Sequence, residues 1–322
     1  MEVYNTILDL VGNTPLVRLN KVTKGLKPTI LAKLENLNPG GSVKDRIGIT
    51  MLNEAEKKGM IKPGSTIIEP TSGNTGVGLA MVAAVKGYKM IFVMPDKMSE
   101  EKRSLLRAYG AKVVVTQTNV KPESPDHYTK VAEKLARETP DSFMPNQYEN
   151  QANPEAHYKT TGPEIWKQTD GKVDIFVCGM GTGGTITGTG RYLKEKKKMV
   201  KVIGADPEGS IFYPRFHRQK EEPHQYRVEG IGEDFMPGTM DFSIVDDVVQ
   251  VSDKDAFQMA RRLAREEGIL AGGSGGTAVQ ATLQVARDLD KNKVIVTLLP
   301  DSGRNYLSRL YSDEWMREQG LL

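Results

Sequence analysis

Four short loops in this chain set small residues beside groups that can do chemistry. Near the amino terminus, Asn38-Pro39-Gly40-Gly41-Ser42-Val43-Lys44-Asp45-Arg46 places a lysine next to glycines, ahead of a helix expected to begin near Ile47. A lysine held there can be desolvated, which lowers its pKa and makes the amine a nucleophile or a base. A surface lysine would carry the same spacing. The second loop, Glu69-Pro70-Thr71-Ser72-Gly73-Asn74-Thr75-Gly76, follows an apolar run and precedes a helical one. Its glycines let a ligand reach the backbone, and its hydroxyls, amide and helix N-terminal N–H groups suit a carboxylate. A helix cap would need only one such residue.

The third loop, Gly179-Met180-Gly181-Thr182-Gly183-Gly184-Thr185, lies between the apolar run Val173 to Cys178 and a helix. Glycine-rich backbone at a helix start cradles phosphate through free N–H groups and the positive end of the helix dipole. Gly179, Gly181 and Gly184 also satisfy G-x-G-x-x-G, and Asp206 ends the next strand at the spacing of a ribose-binding acid. A nicotinamide-dependent oxidoreductase is therefore an alternative reading. The fourth loop, Ala271-Gly272-Gly273-Ser274-Gly275-Gly276-Thr277, separates two helical segments, as a flexible turn also would.

Apolar runs of strand length alternate with helical periodicity to position these loops. Thr66 to Ile68, Met90 to Val93 and Lys112 to Val115 read as strands around helices at Val77 to Lys86 and Glu100 to Tyr109. A second series runs Ile175 to Cys178, Thr185 to Lys194, Lys201 to Ala205, Ala256 to Glu266, Thr277 to Leu289 and Val294 to Leu298. Such alternation predicts two doubly wound α/β domains with parallel sheets, whose ligands sit beyond the carboxyl ends of the strands. A crossing loop is expected from Met144 to Pro154, and the aperiodic stretch Glu208 to Asp241 is long enough to suggest a functional loop.

At 322 residues the chain exceeds the usual span of one core, so two domains are expected. A net charge of +3 from 44 basic and 41 acidic residues argues against a nucleic-acid or membrane surface. The basic run at 194–198 reads as a solvated helix end. A single cysteine, Cys178, forbids an intrachain disulfide or multi-cysteine metal site and reads as a buried strand residue. His127, His157, His217 and His224 show no metal or triad spacing and read as surface or structural residues. Neither a signal segment nor an eighteen-residue apolar run is present, so a cytoplasmic protein is expected and no metal is called for.

Taken together and in order, NPGGSVKDR, EPTSGNTG, GTGGT and GGSGGT resemble the fold-type II pyridoxal-phosphate enzymes of the cysteine synthase / cystathionine β-synthase family, across essentially all 322 residues. The resemblance implies the tryptophan synthase β-like fold, with pyridoxal 5'-phosphate in the cleft between a smaller domain (40–149) and a larger one (13–35 plus 150–322). It implies that Lys44 is the covalent anchor and catalytic base and that Asn74 bonds the cofactor's phenolic oxygen. By the same resemblance Gly181, Thr182, Gly183, Gly184 and Thr185 hold its phosphate, Ser274 faces its pyridine nitrogen and Pro300 belongs to its site. Thr71, Ser72, Gly73, Asn74 and Thr75, with Gln147, would bind the substrate carboxylate. Tyr148 and Gly230 would line the entry of the second substrate.

Several stretches look like the cystathionine β-synthase branch: Asp206-Pro207-Glu208-Gly209-Ser210, Val228-Glu229-Gly230-Ile231-Gly232-Glu233-Asp234-Phe235, Leu299-Pro300-Asp301-Ser302-Gly303-Arg304-Asn305-Tyr306 and Ser312-Asp313-Glu314-Trp315-Met316. The implied reaction condenses L-serine with L-homocysteine to L-cystathionine. Sulfide or cysteine are further expected substrates, with release of hydrogen sulfide. O-acetylserine sulfhydrylase is the alternative within the family. A homodimer is implied, with small amino acids as partners and neither nucleic acid nor membrane. The haem segment and paired regulatory module of animal cystathionine β-synthases are not found in the sequence, so haem binding and S-adenosylmethionine control are not expected, unless the chain belongs to a longer protein.

Overall fold

Residues that are apolar at consecutive positions, rather than alternate ones, suit strands covered on both faces. Thr66–Glu69 is buried along its whole length, and Ile175–Gly179 along all but its last residue. A computed structural model describes residues 3–71, 73–96, 98–121 and 123–322. Its strands are β1 (Leu16–Arg18), β2 (Thr29–Leu34), β3 (Thr66–Glu69), β4 (Lys89–Pro95), β5 (Lys112–Thr116), β6 (Ser142–Phe143), β7 (Ile175–Gly179), β8 (Lys201–Pro207), β9 (Asp247–Val251) and β10 (Val294–Leu299).

The chain divides into two compact units. The first contains the residues up to Val11 and Asn38–Ala152, the second Gly12–Leu37 and Asn153–Leu322. The first unit holds a parallel sheet ordered β5-β4-β3-β6. Its helices are α1 (Lys44–Lys57), α2 (Asn74–Lys86), α3 (Glu100–Ala108) and α4 (Tyr128–Glu138). Ile68, Val93 and Ala132 form the centre of a core that joins β3 and β4 to α4.

The second unit holds a sheet ordered β1-β2-β10-β7-β8-β9, in which β1 runs antiparallel to β2 and the other pairings are parallel. Its helices are α5 (Ala152–Lys159), α6 (Thr161–Gln168), α7 (Gly184–Lys196), α8 (Phe212–Phe216), α9 (Asp253–Arg262), α10 (Gly273–Ala286) and α11 (Asp313–Glu318). The ends of β10, β7 and β8 lie side by side, so the segments after Leu299, Gly179 and Pro207 emerge from the same edge. Lys33 crosses the interior of this unit to Glu164 at 2.7 Å and also donates to Gln168 Oε1 and the Thr14 carbonyl.

Several local expectations are corrected. Helix α1 begins at Lys44, three residues before Ile47, because Asp45 folds back to accept the Gly40 N–H at 2.6 Å and tightens the entry. The crossing loop ends at Gln151, since α5 already contains Pro154 in its first turn, where the missing N–H costs nothing. The basic run at the end of α7 is not simply solvated: Lys194 pairs with Asp246 at 2.8 Å and Lys197 with Asp174 at 2.9 Å. Among the described residues no helix is long and apolar enough to cross a membrane.

Candidate functional site

In the first unit, α1 and α2 cross at two glycines. A β-carbon at Gly48 would meet the Gly78 carbonyl carbon at 2.7 Å, and one at Gly78 would meet the Lys44 oxygen at 2.7 Å. Backbone contact this close fixes half-buried Lys44, first residue of α1, against the helix that Asn74 and Thr75 open. Asn74 is half-buried, Thr71 and Thr75 are buried and Gly73 is exposed. Ser72 lies outside the described residues.

Thr75 donates its hydroxyl hydrogen to Gln147 Oε1 at 2.7 Å, so the β3–α2 loop and the segment after β6 meet within one unit. That proton is committed, which leaves the first-turn N–H of α2 rather than the hydroxyl as Thr75's donor to an anion. A pocket beside this pair is lined by Thr71, Gln147 and Tyr148 together with Gln117, Thr118, His127 and Tyr128. Glu69, the last residue of β3, is 2% exposed and accepts the Asn146 N–H at 3.0 Å and the Gln147 N–H at 3.3 Å. Burial pushes its carboxyl up to about 7, although the two N–H groups favour the ionised form.

In the second unit the loop between β7 and α7 is held by contacts that leave no room for side chains. Gly183, at the helix N-cap, has φ +85°, the left-handed region that suits glycine. A β-carbon on Gly184 would sit 1.8 Å from Asn153 Oδ1, and one on Gly181 would sit 2.7 Å from the Gly230 oxygen. Asn153, in α5, donates Nδ2–H to Thr182 Oγ1 at 2.9 Å, and Thr239 donates its hydroxyl to the Thr182 carbonyl. One turn along α5, buried His157 lies 3.2 Å from Thr185 Oγ1 and 2.9 Å from Thr161 Oγ1. The aperiodic stretch 208–241 supports this loop from outside, because Gly230, Ile231, Thr239 and Met240 pack directly against it.

Ser274, in the first turn of α10, is 3% exposed. The Gly272 N–H donates to the Asp301 carbonyl at 3.3 Å and the Gly303 N–H to the Leu270 carbonyl at 2.9 Å, which ties the Ser274 loop to the segment containing Pro300. The structure therefore gathers Lys44, Thr71, Asn74, Thr75, Gln147 and Tyr148 in the first unit. Gly181 to Thr185, Gly230, Ser274 and Pro300 belong to the second.

Asp206 does not behave as a ribose ligand. It is fully buried at the end of β8, accepts the Tyr213 N–H at 2.9 Å and bonds the Ser210 hydroxyl, with burial pushing its carboxyl up to about 7. A carboxylate that closes its own turn is not presented to a sugar hydroxyl.

A tight glycine cradle at the start of a thirteen-residue helix, with two threonine hydroxyls in it, suits a phosphate rather than a dinucleotide whose ribose acid is turned inward. The model of the pyridoxal-phosphate-dependent enzyme family matches residues 7–301, and the chain belongs to that family. Its fold is fold type II and its cofactor is pyridoxal 5'-phosphate. Similar proteins include the cystathionine β-synthase of Apis mellifera, 52% identical over 100% of this chain and 64% of the relative. That of Saccharomyces cerevisiae is 46% identical over 98% of this chain and 65% of the relative. The chain spans roughly three-fifths of the length of such relatives. Among solved structures, a hydrogen sulfide-producing enzyme from Fusobacterium nucleatum matches with a TM-score of 0.88 and 42% identity, covering 94% of this chain and 98% of that one.

Sequence reasoning gave no role to Glu69, Asn153 or Thr239. A charged residue closing the otherwise uncharged strand Thr66–Glu69 was a readable signal for the first. The other two act across 29 and 57 residues, which no local pattern reports.

Proposed function

We propose that this enzyme performs β-replacement on L-serine, joining it to L-homocysteine to give L-cystathionine and water. The observation that carries the reading is the Thr75–Gln147 pair beside the Thr71 pocket, a preassembled polar site facing the end of β3 in the unit that also bears Lys44. The similarity to cystathionine β-synthases over the whole chain supports the substrate choice. When bound, the cofactor takes up the negative charge that develops at the substrate Cα.

In this proposal Lys44 anchors the cofactor, with Asn74, Ser274 and Pro300 at its ring and Gly181, Thr182, Gly183, Gly184 and Thr185 at its phosphate. Thr71, Ser72, Gly73, Asn74, Thr75 and Gln147 hold the substrate carboxylate, and Tyr148 and Gly230 border the second substrate. Lys44 Nζ removes the Cα proton. The Cβ–O bond then breaks and the hydroxyl leaves as water with the proton that Lys44 took; the homocysteine sulfur forms the new bond to Cβ while its thiol proton passes to Lys44, which delivers it to Cα. The smaller and larger domains of this reading span 40–149 and 13–35 plus 150–322. We further propose a cytoplasmic homodimer, for which exposed Val3, Tyr4, Ile7 and Leu10 offer apolar surface.

Products from serine plus homocysteine, compared with those from O-acetylserine plus sulfide, test the reading. Predominant cystathionine supports it, and cysteine formed only from O-acetylserine overturns it. Hydrogen sulfide released from cysteine would extend it in the direction that the Fusobacterium nucleatum neighbour suggests. Borohydride reduction followed by peptide mapping should place the cofactor on Lys44, and Lys44→Ala should fold yet lose turnover.

A further inference from the structure

We propose that Glu69 is a positioning residue for substrate recognition: a buried carboxyl group whose two oxygens occupy the main-chain donors of Asn146 and Gln147 and so aim the Gln147 side chain at the substrate carboxylate. This rests on the reading of Gln147 and Thr75 as substrate-binding residues.

In extended backbone consecutive N–H groups point to opposite sides, but a left-handed residue turns two of them to the same side and makes an anion-binding concavity. Asn146 has φ +51°, and the N–H groups of Asn146 and Gln147 converge on one carboxylate. This concavity is filled by Glu69, so it does not receive the substrate. A buried carboxylate needs such partners, because its desolvation cost is otherwise uncompensated.

The consequence reaches the side chain. With the Gln147 main chain pinned by Glu69 and its Oε1 pinned by the Thr75 hydroxyl at 2.7 Å, the amide is constrained at both ends. Oε1 faces Thr75, which leaves Nε2 as the donor end of the amide, the polarity a carboxylate requires. Glu69 and Thr75 also bracket the Pro70–Asn74 loop, so strand end, turn and helix start close into one hydrogen-bonded ring. The loops meant to converge on the substrate are thus already joined within the first unit.

Glu69→Gln keeps the shape but sets an NH2 group against one of the two N–H donors. Its KM for serine should rise about tenfold, as expected for one buried donor left unpaired. Cofactor binding, read by absorbance titration, should stay at the wild-type level, and kcat at saturating serine should change far less than KM. The decisive measurement is the double-mutant cycle with Gln147→Ala. If Glu69 acts through Gln147, Glu69→Gln adds little to KM in the Gln147→Ala background. Multiplying effects, or an unchanged KM in Glu69→Gln alone, overturn the proposal. An unchanged KM in Gln147→Ala instead overturns the assignment of the substrate site on which it rests. Should Glu69→Gln fail to fold, amide hydrogen exchange of the wild-type holoenzyme decides: slow exchange at Asn146 and Gln147 supports the clamp, and exchange at loop rates at both overturns it.

Discussion

The two units each place the anion-binding feature proposed for them at the carboxyl ends of parallel strands, but they build it from different materials. In the first unit it centres on the Gln147 side chain, oriented by the Thr75 hydroxyl and by Glu69, beside the first-turn N–H groups of α2. In the second it is made of backbone, with glycines packed so closely that Gly184 would drive a β-carbon to 1.8 Å from Asn153 Oδ1. Backbone recognition suits a phosphate that stays bound, since it is rigid and costs little ordering. Side-chain recognition suits a substrate that comes and goes, since a few torsions tune it. Each unit also ends a strand on a buried acid, Glu69 on β3 and Asp206 on β8, each pushed up to about 7 by burial, but only Glu69 bonds a segment of the anion-binding feature.

The largest expected effect breaks the backbone cradle. Gly184→Ala should weaken cofactor affinity by about a hundredfold or more, the scale of a severe core clash. Absorbance titration of the apoprotein measures it, and wild-type affinity would mean that the loop can yield. In the same unit, Ser274→Asp should keep the cofactor but cut β-replacement by about a hundredfold, the usual size of a tuned acid–base contribution. A carboxylate near the ring nitrogen would raise that nitrogen's pKa and change the charge sink, whereas at a turn Asp would be nearly harmless.

The side-chain site should respond more gently. Thr75→Ala removes the donor to Gln147 Oε1 and should raise the serine KM by about tenfold while sparing cofactor affinity. Equal loss of cofactor would erase the distinction between the two units.

The smallest effect is a pH slope. A carboxyl whose folded pKa exceeds its unfolded one holds an extra proton when folded, so stability falls as pH rises through that window and levels off above it. For Glu69 the window runs from the ordinary glutamate value of 4.5 to about 7. Glu69→Gln lacks this titration, so its melting temperature relative to wild type should climb between pH 5 and pH 8, by at most about 3 kcal/mol of stability. An offset independent of pH would mean that Glu69 ionises freely despite its burial.

Much of the fold was legible because parallel strands buried on both faces announce themselves as short apolar runs. Thr66 to Ile68, Met90 to Val93, Lys112 to Val115 and Ile175 to Cys178 all fall within strands. The start of α1 was misplaced because the Asp45 to Gly40 bond that tightens it is a turn detail, not a periodicity. Candidate loops were legible as glycine and hydroxyl clusters after strands, but their supports were not. Glu69 stood in view at the head of its loop, yet its partners lie 77 and 78 residues away.

The sequence by itself determined which segments become strands and helices, and which loops carry an amine, hydroxyls or bare backbone, because those depend on neighbours a few residues apart. Only the tertiary structure decided which donors are already taken. It turned Asp206 inward, spent the Asn146 and Gln147 N–H groups on Glu69, and committed the Thr75 proton to Gln147. It also brought Gly48 and Gly78 into contact beneath Lys44. A hydrogen bond is made within about 3 Å, and which groups come that close is settled by how distant segments return to one another, a relation that no local pattern encodes.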